Sequence, residues 1–167
     1  MWYVIQVQTR RETEIAGRCR EKIMGPEEDV FVILRERMYR TSDGTEKILV
    51  PVFPGYVFVE TEDIDDFRIR LREMKTMAKV LRAGEETVPV YPEEEAFLRL
   101  TGGEDHIVRF SEGYEIGKKL TVTQGPLKGY EGRVKRIDRH KKYAVLEVSL
   151  MGQAVDIQMG IEVFRKE

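Results

Sequence analysis

The chain has 167 residues, of which 41% are hydrophobic and 35% are charged, a balance typical of folded domains and unlike that of disordered proteins. Its single cysteine, Cys19, excludes an internal disulfide, and with only two histidines neither a metal site nor a cofactor is expected. No apolar run approaches the ~18 residues of a membrane span, and the N-terminus lacks a signal-peptide pattern, so we expect a cytoplasmic chain without a membrane partner.

The formal net charge of −2 conceals an uneven distribution along the chain. Residues 1–111 contain 17 Lys and Arg against 22 Asp and Glu, a net charge of −5, whereas residues 112–167 contain 11 against 8, a net charge of +3. Residues 117–142 alone contain nine basic and two acidic residues. Two regions of opposite charge indicate two modules with different partners.

The first hundred residues alternate strand and helix patterns. Ile15, Cys19 and Ile23 recur at every fourth position and predict one apolar face of a helix. Asp63 begins a second predicted helix and Pro92 a third. Strands are predicted at Trp2–Val7, at Val30–Leu34 continuing towards Tyr39, at Lys47–Val50, at Gly55–Thr61 and at Val80-Leu81. This order predicts an α+β module over residues 1–100, with helices packed on an antiparallel sheet.

The pattern changes after residues 101–111, which we interpret as a linker because Gly102-Gly103 interrupts a segment without apolar periodicity. Residues 112–167 show no helical period. Short strands instead predict a small, SH3-like, five-stranded β-barrel, since closing the sheet removes its open edges. The predicted strands are Lys119–Gln124, Gly132–Asp138, Tyr143–Leu150, Ala154–Gln158 and Ile161–Phe164.

Two motifs connect these modules to a known family. Residues 122–129, Val-Thr-Gln-Gly-Pro-Leu-Lys-Gly, followed by Gly132-Arg133-Val134, resemble the KOW motif. The segments Trp2–Gln6 and Pro54–Val59 resemble the N-terminal domain of the NusG transcription elongation factors. The resemblance covers nearly the whole chain. It implies a protein that is not an enzyme, whose first domain binds the clamp coiled coil of RNA polymerase and whose KOW domain binds a second partner.

The resemblance also indicates the polymerase-binding residues. Phe53 and Tyr56 match aromatic positions of the family's polymerase-facing pocket, and Gln6 and Val80 lie where its neighbouring wall residues would be. A domain of this size cannot bury every aromatic side chain, so we expect Phe53 and Tyr56 to be exposed for a partner helix. The alternative is a purely structural role, which we expect for Trp2 and Phe58.

The basic run of residues 133–142 predicts an RNA-binding surface, because clustered cations neutralise phosphates and release counterions. The alternative is an ordinary solvated charged face. An RNA hairpin read by arginine side chains would need a bulge, a loop or a widened groove, since the deep groove of A-form RNA excludes side chains. The predicted RNA-binding residues are Lys118, Lys119, Lys128, Arg133, Lys135, Arg136, Arg139, His140, Lys141 and Lys142.

One turn departs from the general NusG pattern. Where housekeeping members carry a Phe-Gly-Arg turn that binds a ribosomal protein and a termination helicase, this chain has Met151-Gly152-Gln153. Loss of the arginine puts both partners in doubt. With the basic run, it indicates a specialised paralogue similar to the LoaP-type antiterminators, which bind a nascent RNA hairpin on particular operons. We also expect the protein to be a monomer. A general NusG factor and a ribosome-associated KOW protein remain alternatives.

Two further charged segments have open interpretations. The hairpin tip at residues 35–47 and the helix residues Arg68, Arg70 and Arg72 match family regions that lie near DNA or the facing lobe of polymerase. They are equally consistent with exposed charge that contacts only water.

Overall fold

The computed structural model of the chain describes residues 1–165, which divide into two compact units. The first unit comprises residues 1–33 and 53–95, and the second comprises residues 34–52 and the chain from Ala96 onward. The sequence-based division at residues 100 and 112 follows chain order and stays a prediction. The last two residues of the chain, Lys166 and Glu167, lie outside the described part. No helix in the described part is long and apolar enough to cross a membrane.

The described residues contain three α-helices, fourteen strands and one short 3-10 helix at Glu131–Arg133. The helices are α1 (Glu12–Lys22), α2 (Ile64–Glu73) and α3 (Pro92–Gly102). The strands are β1 (Trp2–Val7), β2 (Asp29–Phe31), β3 (Leu34–Thr41), β4 (Gly44–Pro51), β5 (Tyr56–Glu60), β6 (Ala78–Val80), β7 (Arg82–Ala83), β8 (Glu86–Thr87), β9 (Ile107–Val108), β10 (Ser111–Ile116), β11 (Lys119–Gln124), β12 (Val134–Asp138), β13 (Tyr143–Leu150) and β14 (Gln153–Arg165).

The first unit is built on an antiparallel sheet with the strand order β2-β5-β1-β6. On one face the aromatic rings pack together: the Trp2 ring centroid lies 4.8 Å from that of Phe31 and 6.1 Å from that of Phe58. Trp2 and Phe58 have no exposed surface, which confirms their predicted place in the core. Burying such large side chains supplies much of the hydrophobic stabilisation of a small sheet.

Helices α1 and α2 form where the apolar spacing predicts them. Ile15 and Cys19 are buried on α1, and Phe67 and Leu71 are buried on α2. Asp63 caps α2, because its Oδ1 accepts a hydrogen bond of 3.0 Å from the Asp66 amide. Each helix therefore turns one apolar stripe inward and its charged face outward.

The second unit contains two sheets. The hairpin β3–β4 pairs with β9 in a three-stranded sheet, and the barrel-like sheet has the order β11-β10-β14-β13-β12. The α+β class with a five-stranded C-terminal sheet is confirmed, but its strands differ from the predicted set. β10 begins inside the predicted linker, which also contains β9, whereas the two predicted strands at Ala154–Gln158 and Ile161–Phe164 are one strand, β14.

Gly160 explains why β14 is continuous. Up to this residue β14 pairs with β13, and from Ile161 it pairs with β10. The Cβ atom of any other residue at position 160 would lie 2.9 Å from the Glu36 carbonyl oxygen and from the Phe110 ring. The glycine thus permits close backbone approach within a strand rather than ending it.

Candidate functional site

The aromatic corner after β4 is more buried than the sequence suggests. Phe53 is only 4% exposed, and its ring lies 5.7 Å from the Phe58 ring and 6.4 Å from the Tyr56 ring. Tyr56 is half-buried. The prediction that Phe53 is exposed is therefore wrong, because its ring completes the aromatic cluster of the sheet, and Tyr56 alone of the two presents surface.

The backbone around Gly55 holds this corner in place. Gly55 adopts a φ of 84°, a left-handed conformation that favours glycine. Its amide donates a hydrogen bond of 3.0 Å to Oε2 of the buried Glu12, and its carbonyl oxygen accepts one of 2.8 Å from Val7. The first turn of α1 and the end of β1 thus fix the direction in which Tyr56 leaves the corner.

Strand register places Tyr56 beside Gln6 but not beside Val80. Gln6 pairs with Tyr56 on one side and with Lys79 on the other, so these three residues form a row across one face of the sheet. Val80 pairs with Ile5, whose side chain points to the opposite face, and it is only 7% exposed. Val80 therefore adds little accessible surface to this row, and its assignment as a polymerase-binding residue stays a prediction. The sequence did not identify Lys79 as part of this row, because only the strand register shows that it lies beside Gln6.

The predicted RNA-binding cations all lie in the barrel part of the second unit. Nine of the ten are exposed, and Lys142 is half-buried. Four of these side chains line one open groove: Lys118, Lys135, Arg136 and Arg139. The other six predicted residues do not line this groove: Lys119, Lys128, Arg133, His140, Lys141 and Lys142.

Three of the cations have carboxylate partners. The Nζ atom of Lys135 lies 3.1 Å from Asp156 and 3.5 Å from Glu147, contacts that raise the pKa of Lys135. Arg139 pairs with Glu115, and Lys142 lies 2.9 Å from Glu162. Exposed ion pairs contribute little stability, so a phosphate can compete for such cations. Within residues 1–165, no ion pair is present for Lys118, Lys119, Lys128, Arg136, His140 or Lys141.

Arg133 has a different environment from the other cations. Its guanidinium lies 5.3 Å from the centre of the Phe97 ring and 5.4 Å from that of Tyr130, and these two rings meet edge to face. Cation–π contact orients the side chain while leaving its charge uncompensated. Arg133 is thus a held, exposed cation near the start of β12.

The base of the β3–β4 hairpin packs on the barrel sheet. Arg35 is 5% exposed, donates a hydrogen bond of 2.9 Å to Gln158 and lies over the Tyr143 ring. Burial lowers the pKa of its guanidinium to about 10. The Phe110 amide donates a hydrogen bond of 2.7 Å to Glu36. Arg35 is therefore unavailable to a partner, although the rest of the hairpin tip contains exposed side chains such as Tyr39.

The three arginines of α2 also differ in how available they are to a partner. Arg70 forms a close pair with Glu28 over 2.8 Å, and Arg68 pairs with Asp65 over 3.3 Å. Arg72 is exposed. Arg68 and Arg72 also line an open pocket with Lys79 and Arg82, a cationic cluster that spans α2, β6 and β7 and that sequence reasoning missed.

The turn between β13 and β14 is tight. Leu150 pairs with Gln153, and the two residues between them, Met151 and Gly152, have φ angles of 52° and 78°. Such angles identify a two-residue hairpin turn. Within residues 1–165, no cluster of three or more His, Cys, Asp or Glu side chains is arranged to hold a metal ion.

Comparison with known proteins gives consistent matches. Residues 1–99 match the family described as "Transcription termination factor nusG". The chain is 27% identical to the transcription termination/antitermination protein NusG of Vibrio vulnificus over 165 residues, which is 95% of this chain and 91% of that protein. The corresponding protein of Bacillus subtilis is 23% identical, and the match covers 95% of this chain and 93% of that protein.

A solved structure agrees in fold. The structure described as "Domain interaction in Thermotoga maritima NusG" superposes with a TM-score of 0.56 at 19% identity, over 95% of this chain and 92% of that chain. At this identity the likeness supports the fold alone. The family match covers more than half of the chain, and the relatives match along nearly its whole length. The chain therefore belongs to the NusG family of transcription termination and antitermination proteins.

Proposed function

We propose that this protein is an operon-specific, processive antiterminator that binds RNA polymerase through its first unit and nascent RNA through its barrel. The observation that carries the proposal is the set of exposed barrel cations without a carboxylate partner in the described residues, in a chain of the NusG family. It acts in the cytoplasm, as a monomer, without a cofactor and without covalent chemistry.

The RNA-binding part rests on electrostatics. Six of the predicted cations have no ion pair within residues 1–165, and Arg133 is held by two aromatic rings. Each cation that contacts a phosphate releases counterions, so affinity falls steeply with salt. Such a surface is suited to the backbone of a nascent RNA hairpin. Arginine side chains add donors that can read exposed base edges.

The polymerase-binding part rests on the row of Tyr56, Gln6 and Lys79. By family resemblance, this face contacts the clamp coiled coil of polymerase. Phe53 supports Tyr56 from below, since their rings stack at 6.4 Å, and does not itself present surface. An amphipathic row on a rigid sheet is suited to a helical partner, because it combines an aromatic contact with hydrogen-bonding groups.

The mechanism follows from binding alone. A factor that binds the elongating state of polymerase more tightly than the paused state shifts the population towards elongation. Capture of RNA by the barrel raises the effective concentration of the factor at the polymerase that made that RNA. Met151 and Gln153 in the β13–β14 turn weigh against partnership with the ribosomal protein or the termination helicase.

The polymerase surface is tested by Tyr56→Ala, with Tyr91→Ala as the matched control because Tyr91 is an exposed tyrosine outside the row of Tyr56, Gln6 and Lys79. Circular dichroism establishes that both variants fold. We expect Tyr56→Ala to reduce co-purification of RNA polymerase and Tyr91→Ala to leave it unchanged. Equal retention of polymerase by the two variants would refute this surface.

The RNA surface is tested by the double variant Lys118→Ala with Arg136→Ala, with Lys22→Ala as a control on the exposed face of α1. Binding of a hairpin RNA is measured between about 50 mM and about 200 mM KCl. The double variant is expected to bind more weakly and to lose about one unit of salt slope for each phosphate contact removed. An unchanged salt slope in the double variant would exclude these two contacts.

A further inference from the structure

The barrel sheet has an open seam. In the strand order β11-β10-β14-β13-β12 the two end strands, β11 and β12, are not paired with each other in the described residues. An open groove of about 430 Å³ lies between the β10–β11 turn and β12. It lies wholly within the second unit, and apart from Glu115 and Gly117 its lining residues are apolar or cationic.

The apolar part of the groove is formed by Leu120, Val134 and Ile137. Val134 pairs with Leu146, and Ile137 pairs with Ala144; both partners are fully buried. All three groove residues are only half-buried, however. They belong to the inward face of the sheet but remain accessible because no strand closes the seam above them. We call these three residues the groove floor.

The cationic part borders this floor. Lys118 and Arg136 are exposed and have no ion pair within residues 1–165, and Arg139 and Lys135 complete the groove rim. The single acidic lining residue is Glu115, and Arg139 pairs with its carboxylate. The charge of the lining is thus strongly positive even with Glu115 ionised. An anion with a flat apolar body satisfies both the rim and the floor.

We propose that this groove binds one unpaired nucleotide of an RNA, with its base on the groove floor and its phosphate at Lys118 and Arg136. The inference rests on the proposed RNA-binding function and specifies the substrate of that surface. Unstacked bases in bulges and loops are the parts of RNA that proteins read, often against apolar surfaces or arginine planes. A continuous duplex offers phosphates to the rim but nothing to the floor.

An acidic peptide is the competing occupant. Its carboxylates could pair with the rim, but its flexible aspartate or glutamate side chains present little apolar area to the floor. The floor and rim together therefore favour a nucleotide, which carries both a planar apolar base and a phosphate. The inference predicts preference for RNA with an unpaired nucleotide over otherwise identical paired RNA.

The test uses the full chain and two RNA hairpins that differ only by a single bulged uridine. Fluorescence anisotropy is expected to show about tenfold tighter binding of the bulged hairpin, a difference of about 1.4 kcal/mol. Leu120→Ala removes apolar surface from the groove floor. It is expected to abolish the preference for the bulged hairpin while leaving affinity for the paired hairpin unchanged. Val163→Ala, a half-buried residue that does not line the groove, is the control and should retain the preference.

A second measurement needs no variant. A photoreactive thiouridine placed at the bulge should cross-link to the wild-type protein within residues 117–120 or 134–139. Equal binding of both hairpins, or cross-links confined to other segments, would overturn the inference while leaving RNA binding intact. Binding of neither hairpin would instead overturn the proposed function itself. The groove would be assigned to acidic peptides, and the inference overturned, by two results together. The wild-type protein would bind a labelled hexaglutamate peptide that Arg136→Ala does not bind, and it would show no preference for the bulged hairpin.

Discussion

Glu12 accepts a hydrogen bond of 3.0 Å from the backbone amide of Gly55, and both residues are buried. The contact joins the first turn of α1 to the corner from which Tyr56 projects. Glu12 has only 2% of its surface exposed, which is unusual for a carboxylate and is explained by this partner. The bond couples helix position to the geometry of the proposed polymerase surface.

Replacing Glu12 with alanine should destabilise the fold. The Gly55 amide would be left buried without an acceptor, which costs about 1–3 kcal/mol. Glu12→Gln keeps an acceptor oxygen and should cost less. Urea unfolding measures both, with Glu14→Ala as an exposed control on the same helix. Equal losses for Glu12→Ala and Glu14→Ala would show that the Gly55 contact contributes nothing.

The Glu28–Arg70 pair should make stability depend on pH in acid. The hydrogen bond from Arg70, assisted by those from Thr61 and the Gly25 amide, lowers the pKa of Glu28 from 4.5 to about 2. Because the folded-state pKa is depressed, the stabilisation is present above about pH 4.5 and is lost as the pH falls towards 2.

Arg70→Ala should therefore lower the free energy of unfolding near neutral pH and flatten its dependence on pH between those two values. Arg72→Ala, an exposed arginine on the same helix, is the control and should retain the wild-type profile. Denaturation midpoints across the acid range provide the measurement. Parallel profiles for wild type and Arg70→Ala would contradict the assigned role of the pair.

Gly160→Ala should destabilise the second unit. The added Cβ would lie 2.9 Å from both the Glu36 carbonyl oxygen and the Phe110 ring, so the hairpin or β14 must move, at a cost of about 1–3 kcal/mol. Gly132→Ala is the matched control, since nothing lies within 4 Å of its Cβ position. Thermal unfolding compares the two, and equal melting temperatures would contradict the close packing at Gly160.

Cys19 should be unreactive in the folded protein. Its side chain has no exposed surface, and burial raises the pKa of the thiol to about 11. Since the thiolate is the reactive form, labelling by a disulfide reagent should occur only at the rate of unfolding. The reagent should titrate one thiol at once in denaturant. Rapid labelling without denaturant would place Cys19 outside the core.

Local pattern predicted much of this fold, and tertiary packing decided the rest. The apolar spacings of α1 and α2 are visible in the sequence because each helix buries one regular face. Strands β1 and β5 are marked instead by short apolar runs, since residues on both of their faces are buried. β10 escaped prediction because its inward positions include Ser111 and Gly113, which are small, so no apolar alternation marks it. Two strands were predicted on either side of Gly160, whereas the missing side chain of this residue allows close packing within one strand.

The candidate sites show the same limit. Composition predicted that the barrel is cationic, but only the structure reveals that Arg139 pairs with Glu115 and that Lys135 pairs with Asp156. Burial of Phe53 depends on how its ring packs against those of Tyr56 and Phe58, which no local pattern records. Lys79 joins Gln6 and Tyr56 only through strand register.

In-vitro transcription through a terminator tests the central proposal most directly. Templates with and without a leader that encodes a candidate RNA hairpin would be transcribed with the wild-type protein, with Tyr56→Ala and with the Lys118→Ala, Arg136→Ala double variant. The proposal predicts increased read-through by the wild-type protein only on the leader template, and loss of that increase in both variants. Unchanged read-through by the wild-type protein on every template would contradict it.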